Sequence, residues 1–331
     1  MRCICSHATA LWYWYLRGPA RLLTAQPYLG NALEGAAHTR AQISHFDLAG
    51  AGINPCPPSV IPCANPGGEL DLLVSPDDSW RAPEDIRLHR WYAGFPAGSL
   101  YVVGNGVLVC SPELALLQVA RSLTDTQLIR LVLSLCGRYY INPETDKACE
   151  RNPLTTIAKI RQLLAGVPGR LGIRRLNKVL ALCDDDAASP TEVETYMLAC
   201  LPARMGGYGL AGAELNGKID LSGTDGRLLD KPDRQFVRVD LYWHGKHVGI
   251  EYQSKDHDVV ADRRRINMLT SLGEDIFQVD ASQRSDTDRF DATMAQVAKR
   301  LGREVPALES EWVSARGALR RELLGANRMR L

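Results

Sequence analysis

Five polar residues fall within eighteen positions of one another: Asp240, Glu251, Gln253, Lys255 and His257. Strand alternation decides which of them can meet. In F-V-R-V-D-L-Y-W, Phe236 to Trp243, the residues Val237, Val239, Leu241 and Trp243 share one face, and Phe236, Arg238, Asp240 and Tyr242 the other. In V-G-I-E-Y-Q, Val248 to Gln253, the apolar face holds Val248, Ile250 and Tyr252. A hairpin with Trp243 opposite Val248 brings these faces together and sets Asp240 opposite Glu251. Two carboxylates at one rung repel unless a cation lies between them or one keeps its proton. A Mg²⁺ (or Mn²⁺) ion held by Asp240 and Glu251, with water and a substrate phosphate, is the economical solution.

The neighbouring elements position this pair. His244 to His247 is turn-like, and histidines in such a turn are expected to be inert. D-R-R-R-I-N-M-L-T-S-L-G, from Asp262, spaces Ile266, Leu269 and Leu272 along one helical face and ends at Gly273. Ile276, Phe277 and Val279 then read as a third strand, parallel to the second. Upstream, A-S-P-T-E-V-E-T-Y-M-L-A-C-L opens a helix with Ser189 as cap and Pro190 in its first turn. Glu192 is expected to complete that cap. The alternative is that Glu192 or Glu194 adds a carboxylate to the site.

These residues resemble the very-short-patch-repair-like (Vsr-like) branch of the PD-(D/E)XK endonucleases, whose pattern is D, E-x-D-G-x-x-H and D-x-x-R-x-x-x-L-x-x-x-G. Asp240, Glu251, His257, Asp262, Arg265, Leu269 and Gly273 match it. Gln253 stands where the family has Asp, and Ser254 where it has Gly, which lowers the charge available to a metal. The resemblance implies a restriction-endonuclease-like α/β domain and a Mg-dependent DNA endonuclease. Asp240 and Glu251 would be its metal ligands, Gln253 and His257 further members of its catalytic set, and Glu192 an accessory acid; Lys255, two residues beyond Gln253, is added to the catalytic set from its position alone. The contrary reading is a nuclease fold without activity, serving as a DNA-binding or transcriptional regulator; a third reading is a partner-binding protein with no such site.

In the first half, Leu70 to Val74 reads as a strand, and Leu100 to Cys110 as a hairpin turning at Gly104-Asn105-Gly106. Ser111-Pro112-Glu113 opens an apolar helix, and S-H-A-T-A-L-W-Y-W-Y from Ser6 a buried one. The order of S-H-x-x-A-L, a strand pair and C-S-P-E-L-A-L-L-Q-V-A resembles the AbiEi-type antitoxin proteins and their nuclease-fused relatives. It implies an α+β region over residues 1–185 and a phage-defence or toxin–antitoxin setting. The endonuclease-like domain then covers 186–303, and an amphipathic helix lies within 304–331, packed on the body, on a protein partner or on a second copy.

The chain has 331 residues, 45% hydrophobic and 23% charged, with a net charge of +1. That balance excludes DNA binding by bulk charge and asks for local contacts. Arg263, Arg264 and Arg265 are candidates, as are Arg174 and Arg175 in the basic stretch after Pro168; a structural tie to Asp262 or Asp258 is the preferred reading of Arg265, and a solvated helix face the alternative for Arg174 and Arg175. Nine cysteines, scattered and without a C-x-x-C pair, point to reduced thiols and a cytoplasmic setting. Cys3, Cys5 and His7 lack a second ligand pair at zinc spacing. No segment is long and apolar enough to span a bilayer.

Overall fold

In this computed structural model the described residues are 1–64, 68–76, 84–92, 94–221, 235–253, 259–325 and 329. They are mixed α and β, and the chain divides into two units, residues 1–185 with 329–331, and residues 186–328.

In the first unit the strands are β1 (Cys3–Cys5), β2 (Gln26–Pro27), β3 (Leu70–Val74), β4 (Ile86–Arg90), β5 (Leu100–Gly104) and β6 (Val107–Cys110). They form one mixed sheet in the order β2-β5-β6-β1-β3-β4. The β5–β6 hairpin turns at Asn105-Gly106 as the sequence indicates, with Gly106 at φ 72°. β1 was not visible in the sequence: Cys3 and Cys5 are wholly buried between β6, parallel, and β3, antiparallel. A short pair, β7 (Tyr139–Ile141) and β8 (Ala148–Glu150), stands apart.

Helix α1 (His7–Thr24) buries Ala8 to Tyr15, and the Trp14 indole donates to the Cys110 carbonyl at 2.7 Å, fixing the helix on the sheet. Its axis breaks at Gly18, φ 71°, followed by Pro19. After α2 (Arg40–Ile43), α3 (Pro112–Val119) and α4 (Asp125–Leu135) start at Ser111 and Thr124, whose hydroxyls accept the amides three residues on. The basic stretch folds as α5 (Ile157–Gly166) and α6 (Ile173–Leu180). Arg175, a candidate for DNA, is turned inward: it donates to Asp125 Oδ1 at 2.7 Å and to the Ala120 carbonyl at 3.0 Å, holding α6 to α4. Arg174 is exposed.

The second unit is built on a sheet in the order β12-β11-β10-β9, with β9 (Glu214–Asp220), β10 (Phe236–Trp243), β11 (Val248–Gln253) and β12 (Asp275–Asp280). β9, β10 and β11 are antiparallel neighbours, and β12 runs parallel to β11. The helices are α7 (Pro190–Cys200), α8 (Val259–Ser271), α9 (Ala281–Ser285), α10 (Thr287–Leu301) and α11 (Ser310–Leu324). α8 begins three residues before Asp262 and ends by Gly273, φ 83°. Val237, Val239, Ile219, Met268 and Leu269 form the core between α8 and the sheet. Tyr242, expected on the polar face, is buried with them, its hydroxyl donating to Glu274 at 2.7 Å.

The C-terminal helix α11 belongs to this unit rather than standing alone. The Trp312 indole donates to the Gly207 carbonyl at 3.0 Å, and Arg316 pairs with Asp291, which also receives the Tyr208 hydroxyl. Among the described residues, no helix is long and apolar enough to cross a membrane.

Candidate active site

The β10–β11 hairpin adopts the register that its apolar alternation requires: Trp243↔Val248, Tyr242↔Gly249 and Leu241↔Ile250. On the other side of β10, Leu215↔Leu241 and Gly217↔Val239 are paired. Continued by one residue, these registers lead to a row of Asn216, Asp240 and Glu251 that does not itself pair across β9, β10 and β11, while the β11–β12 register sets Gln278 beside Glu251. The row interrupts the ladder. Asn216 takes a left-handed backbone, φ 52°, and Asp240 Oδ2 accepts the Tyr252 amide at 2.7 Å. The row therefore offers oxygen donors from neighbouring strands, with Glu251 buried and Asp240 half-buried.

Glu251 is held from above by α8. Arg265 Nη1 donates to Glu251 Oε2 at 2.5 Å, Nη2 lies 2.5 Å from Oε1, and the same guanidinium donates to the Arg238 carbonyl. The Glu251 side chain is 10% exposed and that of Arg265 25%. Arg265 is thus a charge partner of the site and not a DNA-facing residue, because a buried carboxylate attracts the nearest guanidinium more strongly than solvent holds it. Arg263 and Arg264, on the first half of the same helix, are exposed.

Glu192 reaches the row from α7. Ser189 Oγ accepts the Glu192 amide at 3.1 Å, the cap expected from the sequence. The carboxylate itself accepts from the Ala188 amide and from Asn216 Nδ2, each at 2.7 Å. Both readings of Glu192 therefore apply to one side chain. Burial, and then the negative charge of Asp240, push its pKa up to about 8 against hydrogen bonds that work the other way. Glu194 is absorbed by an ion pair with Arg284, whose guanidinium also lies over the Tyr252 ring at 5.2 Å.

Gln253 ends β11, half-buried and paired in register with Asp280. Lys255 and His257 lie outside the described residues. The turn histidines are tied to carboxylates: His244 is 2.8 Å from Glu214, and His247 3.0 Å from Glu274. Asn216 and Arg284 were missed by the sequence reading. The Asn216-Gly217 dipeptide is the one signal for the first, since Asn-Gly favours a left-handed residue.

The donor set fits a hard divalent cation in kind: carboxylate and amide oxygens, with Glu192 raised by burial and then by the charge of Asp240. Among the described residues there is no group of three or more His, Cys, Asp or Glu arranged to hold a metal. Mg²⁺ needs only one or two carboxylates with water and substrate phosphate, and Asp240 with Glu251 provides them once Arg265 yields part of its hold on Glu251. Compared with protein-family models, with curated proteins and with solved structures, the chain matches none.

Proposed function

We propose that residues 186–328 form a nuclease-type PD-(D/E)XK domain that hydrolyses phosphodiester bonds in DNA, with Asp240 and Glu251 as ligands of Mg²⁺ or Mn²⁺. The observation that supports this reading is Glu192, raised by burial and then by the charge of Asp240, at the place where the β10–β11 ladder breaks between Asp240 and Glu251. Acidic groups gathered at a break in a sheet cost stability and are a mark of functional sites.

A divalent cation bound there would polarise a phosphoryl oxygen and supply hydroxide from bound water. The chain's own residues prepare the place. The Tyr252 amide orients Asp240, and Arg265 orients Glu251 and limits the repulsion between the two. Asn216 ties Glu192 to the sheet, so that a proton on Glu192 stays beside Asp240. The exposed Arg263 and Arg264 provide local positive charge for a DNA backbone that the near-neutral chain lacks overall.

A second reading is favoured by two particulars. Arg265 already meets both oxygens of Glu251, and position 253 carries an amide. Both lower the attraction for a metal, as expected of a nuclease fold that binds DNA as a regulator of toxin–antitoxin or phage-defence type without cutting it.

The test is nicking of supercoiled plasmid in Mg²⁺ or Mn²⁺ by the parent chain, Asp240→Asn and Glu251→Ala. Cleavage by the parent alone supports the hydrolase. Salt-sensitive, metal-independent DNA binding without cleavage supports the regulator. The absence of both removes the proposal.

A further inference from the structure

The S-H pair that opens α1 takes no part in the hairpin site, yet the first unit builds a second polar centre around it. Asp71, 2% exposed in the middle of the sheet, receives Arg87 Nε at 2.7 Å and His89 Nε2 at 2.8 Å on one oxygen. The His89 ring stacks on His7, centroids 3.6 Å apart and 18° between planes. His7 Nδ1 lies 2.9 Å from Ser6 Oγ, and its amide donates to Gln118 Oε1 at 2.9 Å. His7 sits at φ 48°, a left-handed conformation that costs a non-glycine residue about 1 kcal/mol or more and is retained where surrounding contacts fix it.

This pair forms one wall of a cleft of 650 Å³, a size suited to a small organic ligand rather than a bare ion. The rest of the wall carries donors, Arg121 and Arg170, with Tyr92 at the rim, 66% exposed. Among the described residues no carboxylate lines the cleft, and neither the Arg121 nor the Arg170 guanidinium has an ion-pair or hydrogen-bond partner. Asp71, behind the histidine pair, is already bonded to Arg87 and His89. Unpaired guanidiniums and an accessible aromatic ring ask for an anion attached to a planar group.

We propose that this cleft binds a nucleoside monophosphate group, its phosphate held by Arg121 and Arg170 before the His7–His89 pair and its base laid against Tyr92. The group could come as a free nucleotide or as the 5′-phosphorylated end of a nucleic acid strand. The proposal concerns the first unit and does not rest on the hydrolase reading of the second.

The experiment is calorimetric titration of the full chain with AMP, adenosine and a 5′-phosphorylated tetranucleotide, repeated with Arg121→Ala and Arg170→Ala. Neither arginine carries a structural contact, so these variants keep the fold. AMP should bind at least about 10-fold more tightly than adenosine, and each substitution should weaken AMP by about 10-fold, the equivalent of one charged hydrogen bond. A tetranucleotide that binds more tightly than AMP, and loses affinity in the same variants, assigns the cleft to strand ends; equal affinities assign it to free nucleotides. Three results overturn the proposal: no AMP binding up to roughly 5 mM, adenosine binding as well as AMP, or affinities unmoved by either arginine substitution.

Discussion

Removing the guanidinium of Arg265 isolates the energetic role of the α8–hairpin contact. Arg265→Ala takes the guanidinium from Glu251, whose side chain is only 10% exposed, and it also strips the Arg238 carbonyl of a donor. Breaking a buried ion pair from one side costs about 3–5 kcal/mol, and the 25% exposure of Arg265 places the loss near the lower end, about 3 kcal/mol. With a urea slope of about 1–3 kcal/mol/M, the unfolding midpoint of the second unit should fall by roughly 1–3 M. Hydrogen exchange at the β10 and β11 amides assigns the transition to that unit. Adding Glu251→Gln removes the stranded charge, so the double variant should regain about 1–2 kcal/mol over Arg265→Ala. If Mg²⁺ takes the same carboxylates, it should raise the midpoint of Arg265→Ala more than that of the parent, since it binds the folded state without displacing an arginine. A midpoint shift below about 0.3 M, or strictly additive effects of the two substitutions, would refute the claim that Arg265 balances Glu251.

Two further outcomes are open to direct measurement. Burial, and then the neighbouring His89, hold His7 well below its ordinary value of 6.5, while Asp71 opposes them and Arg87 adds to them. The unfolded chain therefore binds more protons as pH falls from 6.5, and stability should decline over that window; Asp71, also lowered, gives up its contribution only below 3.8. His7→Asn, which tolerates the left-handed backbone, should flatten the decline in urea midpoints between about pH 6.5 and 5, and an unchanged slope would remove His7 as its source. Gly206→Ala should destabilise the second unit by about 1–3 kcal/mol, because a Cβ at φ 88° would strike the Ala315 backbone of α11; a neutral result in thermal unfolding would mean that α11 is not seated there.

What the sequence made legible was local. The hairpin register followed from two short runs whose apolar faces match in only one alignment, and Gly273 and Ser189 marked helix ends through chemistry contained within a turn. The partners of the charged residues were not legible. Arg265 and Glu251 are 14 residues apart, Arg175 and Asp125 are 50, and Glu194 and Arg284 are 90, and no periodicity links such pairs. A basic run on a helix reads as a surface until a buried carboxylate is brought to it by the fold. Glu192 shows the complementary case, where a cap residue chosen by local rules is also carried against Asp240 by the packing of α7 on the sheet. The strand Cys3–Cys5 escaped notice because three residues show no alternation when both faces are buried.

That short strand also sets an order on the folding of the first unit. β1 is an interior strand, with Leu70–Val74 on one side and Val107–Cys110 on the other, and it is synthesised before either of them. Until residue 110 has left the ribosome, the aromatic face of α1 has no finished sheet to lie on, and Trp14 has no Cys110 carbonyl to reach. Pairing across such sequence distances is slow and leaves apolar surface uncovered in the meantime. A nascent chain halted between β3 and β6 would expose that face to chaperones and proteases, whereas one long enough for Cys110 to clear the ribosome closes both edges of β1.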